Sequence, residues 1–325
     1  MPKAIRIHEY GGPEVLRWEE VAVGEPGPGQ LRIHHAAIGL NYIDIYHRTG
    51  LYPLPSLPWT LGMEGAGRIE AVGEGVTEFK VGERVAYASP PVGAYAEVRL
   101  IAADRVVALP DAIDDQTAAA MMLQGMTAQY LLRRTYRLQP GDAILLHAAA
   151  GGVGLIASQW ARQLGALVIG TVGSDEKAEL ARAHGCHHVI VYTREDFVER
   201  VREITSGQGV AVVYDSVGKE TFTGSLDCLR PLGMMVSFGN ASGPIPAFEP
   251  GLLAAKGSLF LTRPSLMHYT ARRRDLVDSA VDLFDVVATG AVKIKVRQTY
   301  PLAETAQAHR DLEARKTTGS TVLLP

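Results

Sequence analysis

The chain has 325 residues, of which 47% are apolar, with a formal net charge of −3, a pI near 6.4 and two cysteines. Its length fits about two domains with a core in each, and the absence of a basic excess argues against nucleic acid as a main partner. Cys186 and Cys228 are too few for a disulfide framework or a cysteine-bound zinc lobe, and both are expected to pack as small apolar side chains. Residues 1–10 carry charges and lack a long apolar stretch, so no secretory signal is expected. The one long apolar run, 143–158, is broken by Gly151 and Gly152, which argues against a membrane span and leaves a cytoplasmic location as the expectation. The pairs His34-His35 and His187-His188 would point to opposite faces of a strand, and no metal is expected.

In chain order, residues 2–109 read as short β segments and turns. Residues 31–38 alternate, 65–72 and 84–88 are brief strands, and Gly93-Ala94-Tyr95 precedes 96–100. The frequent Gly and Pro punctuation predicts a compact, mostly antiparallel barrel. An Ala- and Met-rich stretch, 111–123, then turns helical and marks a boundary. From about 125 to 262 strands alternate with helices: strands at 143–147, 167–171, 188–191, 210–214, 234–238 and 258–261, helices at 153–164, 176–184, 197–205 and 221–229. This alternation predicts α/β architecture, a doubly wound parallel sheet with right-handed crossovers. After Arg263 a helix, strand, helix and strand form a segment too short to stand alone. It is expected to rejoin the first domain, placing the active cleft between the two.

Residues 141–154 read as a buried strand, a glycine turn and a helix start, which is the geometry that holds a diphosphate. Unpaired amides at a helix N-terminus attract an anion. Gly151 and Gly152 admit the ligand, Val153 follows them, and Gly154 lets helix and strand pack closely. The spacing is Ala148-x-x-Gly151-x-x-Gly154 rather than GxGxxG, and the βαβ context supports it, with a second strand about 20 residues on. That strand leads into Gly173-Ser174-Asp175-Glu176-Lys177. An acid here would select a free ribose 2′-hydroxyl, whereas Ser174 stands near the acid's place and Asp175 is free to cap the next helix. Lys177, in the first helical turn, opposes the dipole unless a phosphate is near. Tyr192, ending the third strand, would cover the same phosphate. The expected cofactor is NADPH rather than NADH; a solvated lysine and a half-buried strand tyrosine are the other readings of these two residues.

The chain resembles, essentially end to end, the quinone oxidoreductase (zeta-crystallin-like) branch of the medium-chain dehydrogenase/reductase superfamily, and within it the bacterial NADPH-dependent members. The likeness rests on Ala149-Ala150-Gly151-Gly152-Val153-Gly154, Gln159-Trp160-Ala161-Arg162, Gly39-Leu40-Asn41-Tyr42-Ile43-Asp44, Gly50-Leu51-Tyr52-Pro53, Tyr214-Asp215-Ser216-Val217-Gly218, Val236-Ser237-Phe238-Gly239-Asn240 and Thr262-Arg263-Pro264-Ser265. It implies a GroES-like catalytic domain (1–123), a Rossmann NADPH-binding domain (124–262), a return segment (263–325) and homodimers joined through the Rossmann sheets. Where zinc alcohol dehydrogenases place Gly-His-Glu and a cysteine, this chain has Gly62-Met63-Glu64 and Asn41, so zinc is not expected.

The resemblance implies a zinc-independent transfer of reducing equivalents from NADPH to a quinone. Asn41 and Tyr46 would stand beside nicotinamide or substrate, with Tyr52 near the cleft mouth. Thr127 and Tyr130, opening the helix ahead of the nucleotide domain, would face the nicotinamide or ribose end. Gly152 and Val153 would donate to the diphosphate, and Ser216, Phe238 and Gly239 would line ribose and nicotinamide. Arg263 would meet the diphosphate or a developing negative charge, Ser265 belongs to the same stretch, and Arg315 would close on the adenosine phosphate. Asp44 has a turn or cap reading at least as good as a catalytic one. The alternatives are an NADPH-dependent enone or 2-alkenal reductase and, in another class, a nucleotide-responsive RNA-binding protein with little turnover.

Overall fold

The computed structural model describes residues 1–325, which separate into two compact units: Met1–Met126 with Thr270–Ala288 and Ile294–Pro325, and Thr127–Tyr269 with Thr289–Lys293. The first unit begins with strands β1 (Lys3–Ile7), β2 (Arg17–Glu20) and β3 (Gln30–Leu40), helix α1 (Tyr42–Thr49), strands β4 (Trp59–Thr60), β5 (Glu64–Val72), β6 (Arg84–Ala88), β7 (Val98–Ala102) and β8 (Val107–Ala108), and helix α2 (Asp115–Ala119). Helix α3 (Met122–Tyr130) follows. The second unit then alternates β9 (Ala143–Leu146), α4 (Gly152–Gln163), β10 (Leu167–Val172), α5 (Asp175–Ala183), β11 (His188–Val191), α6 (Phe197–Ile204), β12 (Val210–Asp215), α7 (Phe222–Asp227), β13 (Leu229–Ser237), α8 (Gly251–Ala255), β14 (Phe260–Thr262) and α9 (Leu266–Tyr269). The chain closes with α10 (Arg273–Ala288), β15 (Val296–Pro301), α11 (Thr305–Glu313) and β16 (Ser320–Leu324).

In the first unit a seven-stranded sheet runs β15-β16-β3-β5-β6-β8, with β7 also on β3, beside a three-stranded sheet β2-β1-β4. Strand β3 organises it. Leu31, Ile33 and His35 alternate into the core, which is the period-2 pattern of a half-buried strand. Its last residues, Ala37 to Leu40, are buried on both faces. A Cβ on Gly39 would sit 2.2 Å from the Ala119 carbonyl oxygen and 2.3 Å from Glu64 Oε2, so only glycine fits there. The final strand β16 pairs antiparallel with β3, which is how the C-terminal segment completes this unit.

In the second unit six parallel strands follow the order β11-β10-β9-β12-β13-β14. Numbered within the unit that is 3-2-1-4-5-6, the doubly wound order of dinucleotide-binding folds, with direction reversing at β9. Buried Leu145, Ile169, Val213 and Met235 form its core. Strand β13 starts at Leu229, five residues ahead of the predicted 234, because register shifts from Val210↔Leu229 to Val212↔Met234. Pro231-Leu232-Gly233 makes the irregularity, with Leu232 at φ 61. Both cysteines are free and buried, as their apolar reading requires. No helix is long and apolar enough to cross a membrane.

Gly154 packs α4 onto β9: a Cβ there would lie 2.4 Å from the Ala148 carbonyl oxygen and 2.7 Å from Ala149 backbone atoms. Since backbone cannot yield as a side-chain tip does, Gly154→Ala should destabilise the protein by about 1–3 kcal/mol, read from the urea midpoint.

Candidate functional site

Strand β9 runs into a tight turn at the carboxyl edge of the parallel sheet. Ala148, in the left-handed region at φ 53, presents its carbonyl to the Gly151 amide at 2.9 Å and swings the chain into α4. The N-cap of α4 is Gly151, which has no side chain to offer. The amides of Gly152, Val153 and Gly154 therefore start the helix without a carbonyl four residues back and without a capping oxygen. Helices α5 and α6 differ, being capped by Ser174 and Asp196. Three outward donors at the positive end of a helix dipole suit an anion.

Beneath this turn a buried network ties successive strand ends together. Ser225 Oγ donates to Asp215 Oδ2 (3.0 Å), so His147 Nε2 donates to Ser225 Oγ (2.9 Å) and His147 Nδ1 accepts from Thr171 Oγ1 (2.8 Å). Burial pushes the His147 pKa down and keeps it neutral, as that assignment requires. Asp215 also accepts from the amides of Val217 (2.7 Å) and Gly218 (3.0 Å) and from Thr221 Oγ1 (2.7 Å). The turns after β9, β10 and β12 are thereby fixed relative to one another. The sequence reading overlooked His147, Thr171 and Ser225, whose contacts span 24 to 78 residues; the only local signal was the Tyr214-Asp215-Ser216 stretch.

At the next strand ends the structure corrects two readings. The cap of α5 is Ser174, whose Oγ accepts from the Lys177 amide at 3.3 Å, and not Asp175. Ser174 has the extended backbone a cap needs, whereas Asp175 already lies within the helix. Thr127 and Tyr130 do not open a helix either: both are buried in the second half of α3. The capped helix start lies at Asp114, whose Oδ1 accepts from the Thr117 amide at 2.8 Å. Tyr130 stacks on Tyr269 with ring centroids 4.4 Å apart.

Lys177 and Gly173 are half-buried, and exposed Tyr192, one residue past β11, sets its hydroxyl 2.7 Å from where a Gly173 Cβ would be. Ser216 and Phe238 are half-buried beside Gly239, whose own Cβ would meet the Ser216 carbonyl at 2.4 Å. Arg263 donates to Ser237 Oγ (3.3 Å) and the Gly239 carbonyl (3.0 Å), and with the Asn240 amide oxygen turned toward it gains a third contact at 3.2 Å. The Ser265 carbonyl accepts from the His268 amide as α9 begins. Gly151 to Val153, Gly173 to Lys177, Tyr192, Ser216, Phe238, Gly239 and Arg263 thus all sit on the carboxyl edge of one sheet.

In the first unit, buried Asn41 precedes α1 and is held at both ends of its amide. Its Nδ2 donates to Glu64 Oε2 at 2.5 Å, and its Oδ1 accepts from Gln124 Nε2 at 3.1 Å. Gln124 Oε1 accepts from Ser320 Oγ (2.7 Å), and Glu64 Oε1 accepts from the Leu123 amide (2.8 Å). Asp44 Oδ2 accepts from the Asn41 amide (2.9 Å) and from the Tyr95 hydroxyl (2.8 Å), which makes the cap reading of Asp44 correct. The Tyr95 hydroxyl also meets His309 Nε2 at 3.2 Å, and His309 Nδ1 faces Arg48 at 3.0 Å. Arg48, 1% exposed, forks onto Glu313 at 2.6 and 3.1 Å. Buried Tyr46 stands between Tyr42 and the half-buried Tyr52, edge-on to both at 5.5 and 5.1 Å. Arg315 is exposed just past α11, and its charge, with that of Arg48, opposes the rise that burial and Glu313 impose on Tyr42. No group of three or more His, Cys, Asp or Glu side chains converges anywhere in the chain.

Comparisons with known sequences and structures bear on this site. Residues 27–111 match the alcohol dehydrogenase GroES-like domain and residues 152–285 the zinc-binding dehydrogenase domain, which defines a medium-chain dehydrogenase/reductase. The Pseudomonas aeruginosa quinone oxidoreductase is 55% identical over 100% of both chains. The crystal structure of Escherichia coli quinone oxidoreductase complexed with NADPH is 50% identical with a TM-score of 0.98, covering 99% of this chain and 100% of that one. A Burkholderia 2-haloacrylate reductase is 52% identical over 100% of this chain and 99% of its own length. The chain belongs to the quinone oxidoreductase family.

Burial raises the carboxyls of Asp44 to about 7 and Glu64 to about 8, against the opposing hydrogen bonds from Asn41. Each therefore keeps a proton in the folded state that the unfolded chain releases near its ordinary value, so their stabilisation is complete in acid and lost as pH rises through about 7 and 8. Buried His35 and His309, lowered to about 3, act oppositely, with stabilisation present above the ordinary 6.5 and lost toward about 3. Denaturant midpoints should accordingly peak between these limbs. Glu64→Gln should flatten the alkaline limb by up to ~1.4 kcal/mol per pH unit while leaving the acid limb in place.

Proposed function

We propose that this protein is an NADPH-dependent quinone reductase that works without a resident zinc ion. The observation that carries the reading is the side-chain-free cap of α4, three amides aimed outward where the order of the parallel sheet reverses. The 50% identical Escherichia coli enzyme, solved with NADPH, supports it. Gly151, Gly152 and Val153 would hold the diphosphate. Gly173, Ser174, Lys177 and Tyr192 would take the 2′-phosphate end, and Thr127, Tyr130, Ser216, Phe238, Gly239, Arg263 and Ser265 the ribose and nicotinamide. When bound, the nicotinamide supplies a hydride.

The residues in the superfamily's zinc positions do not fit a zinc ion. Asn41 is an amide engaged through both of its heavy atoms, Met63 is a buried thioether, and both Glu64 oxygens accept from N–H donors. A quinone does not need one, because it is electron-poor and no hydroxyl proton has to be removed to start. Glu64 and Gln124 fix the plane of the Asn41 amide and commit one of its two hydrogens. We assign the second to the acceptor's oxygen, where charge develops, and Tyr46 and Tyr52 to its ring. A homodimer through β14 is part of the reading, supported by Phe260 and Leu232, 56% and 67% exposed at that end of the sheet.

The 2-haloacrylate reductase relative favours a second reading, reduction of an activated alkene. Following NADPH oxidation with a quinone series beside 2-haloacrylate and 2-alkenals separates the two. Turnover of quinones with NADPH preferred supports the first, and turnover of alkenes alone sinks it. Lys177→Ala should raise KM for NADPH about tenfold with little change for NADH, the loss of one charge pair.

A further inference from the structure

The loops that follow β10 and β11 are knitted together by side chains. Arg194 forks onto Asp175, Nη1 to Oδ2 at 2.6 Å and Nη2 to Oδ1 at 2.5 Å. Thr193 Oγ1 donates to the Gly173 carbonyl at 3.4 Å, and the Tyr192 hydroxyl lies against Gly173. Asp175 is the first residue of α5, adjacent to Ser174 and two residues before Lys177. A carboxylate at this end of the second strand is the group that selects a free 2′-hydroxyl, and its charge opposes a 2′-phosphate. Asp175 thus carries the wrong charge for the phosphorylated cofactor, although an acid in the first turn suits the helix dipole. The Arg194 guanidinium holds the Asp175 carboxyl below its ordinary range, so the negative charge is fully present and has to be answered locally.

We propose that Arg194 is a specificity-determining positioning residue: by occupying both oxygens of Asp175 and cancelling its charge, it leaves Lys177 as the net positive group facing a 2′-phosphate. A guanidinium does this where an ammonium does not, because its planar fork matches a carboxylate bidentately. The inference deepens the NADPH reading and rests on it. Neither side chain is needed for folding, since they are 55% and 72% exposed and outside the core.

Steady-state kinetics with NADPH and NADH on Arg194→Ala, Asp175→Asn and the double variant test it. Arg194→Ala should lower kcat/KM for NADPH about fivefold to tenfold at low salt, less at high salt, with NADH changed by less than about twofold. Adding Asp175→Asn should restore NADPH to within about twofold of the parent, because the charge Arg194 was covering has gone. A double variant as poor as Arg194→Ala would mean that Arg194 touches the phosphate itself, and would overturn the proposal. So would an unchanged NADPH-to-NADH ratio, or an equal loss with both cofactors, the mark of a merely loosened loop. A parent protein without NADPH preference would strike the underlying reading instead, and shows itself before any variant is made.

Discussion

Three amides without partners set the terms for the second unit. A helix that begins on a glycine cap inside a packed sheet edge leaves Gly152, Val153 and Gly154 donating to nothing in the protein. Buried or half-buried N–H groups of that kind are costly unless an anion or water answers them. The alternative, a serine or aspartate cap, is used at α5 and α6 in the same unit, so the chain has the means to satisfy such groups and does not use it at α4. The reversal of strand order falls at that same place. The His147, Thr171, Ser225 and Asp215 network then has a clear purpose: it holds the neighbouring turns still, so that the open donors keep one geometry.

The first unit solves a different problem, orienting a neutral amide in a dry place. Asn41 can flip at little cost unless both of its ends are specified, and a flipped amide would present an acceptor where the proposed function places a donor. Glu64 accepts on one side and Gln124 donates on the other, so the orientation is fixed by chemistry and not by shape. Ser320 from the last strand fixes Gln124 in turn, which gives the return of the C-terminal segment to β3 a role beyond closing the sheet. Glycine at position 39 is required by the same arrangement, because any side chain would displace Glu64.

The doubly wound sheet was legible because most of its strands and helices announce themselves locally. The Ala143–Leu146 strand, the glycine turn and the amphipathic α4 lie within some 20 residues, and caps and crossovers repeat the signal along the unit. Where local signals conflict, the reading slipped. Leu229 reads as the end of a helix over 221–229, yet tertiary pairing with Val210 of β12 draws it into the sheet and the helix stops at Asp227. Ser174 and Asp175 are both good caps, and only the backbone angles decide between them. The webs around Asn41 and Asp44 were invisible for another reason: Arg48 and His309 lie 261 residues apart and Gln124 and Ser320 lie 196 apart, so no window of sequence contains both partners. Family likeness drew attention to the motif around Asn41, without naming what orients its amide.

In the proposed function the two units recognise their ligands by different means, and this bears on how the family diversifies. An anion site made of main-chain amides depends on glycine at a few positions and on the sheet beneath, and is otherwise indifferent to side chains. A site made of side-chain amides and tyrosines depends on every partner, so single substitutions re-aim it. On that proposal acceptor choice is free to change while cofactor geometry persists. A quinone oxidoreductase and a 2-haloacrylate reductase, each more than half identical to this chain along its whole length, fit that division. The residues that separate their chemistries are then to be sought around Asn41, Tyr46 and Tyr52 and their hydrogen-bond partners, since the amides that open α4 carry no information about the acceptor.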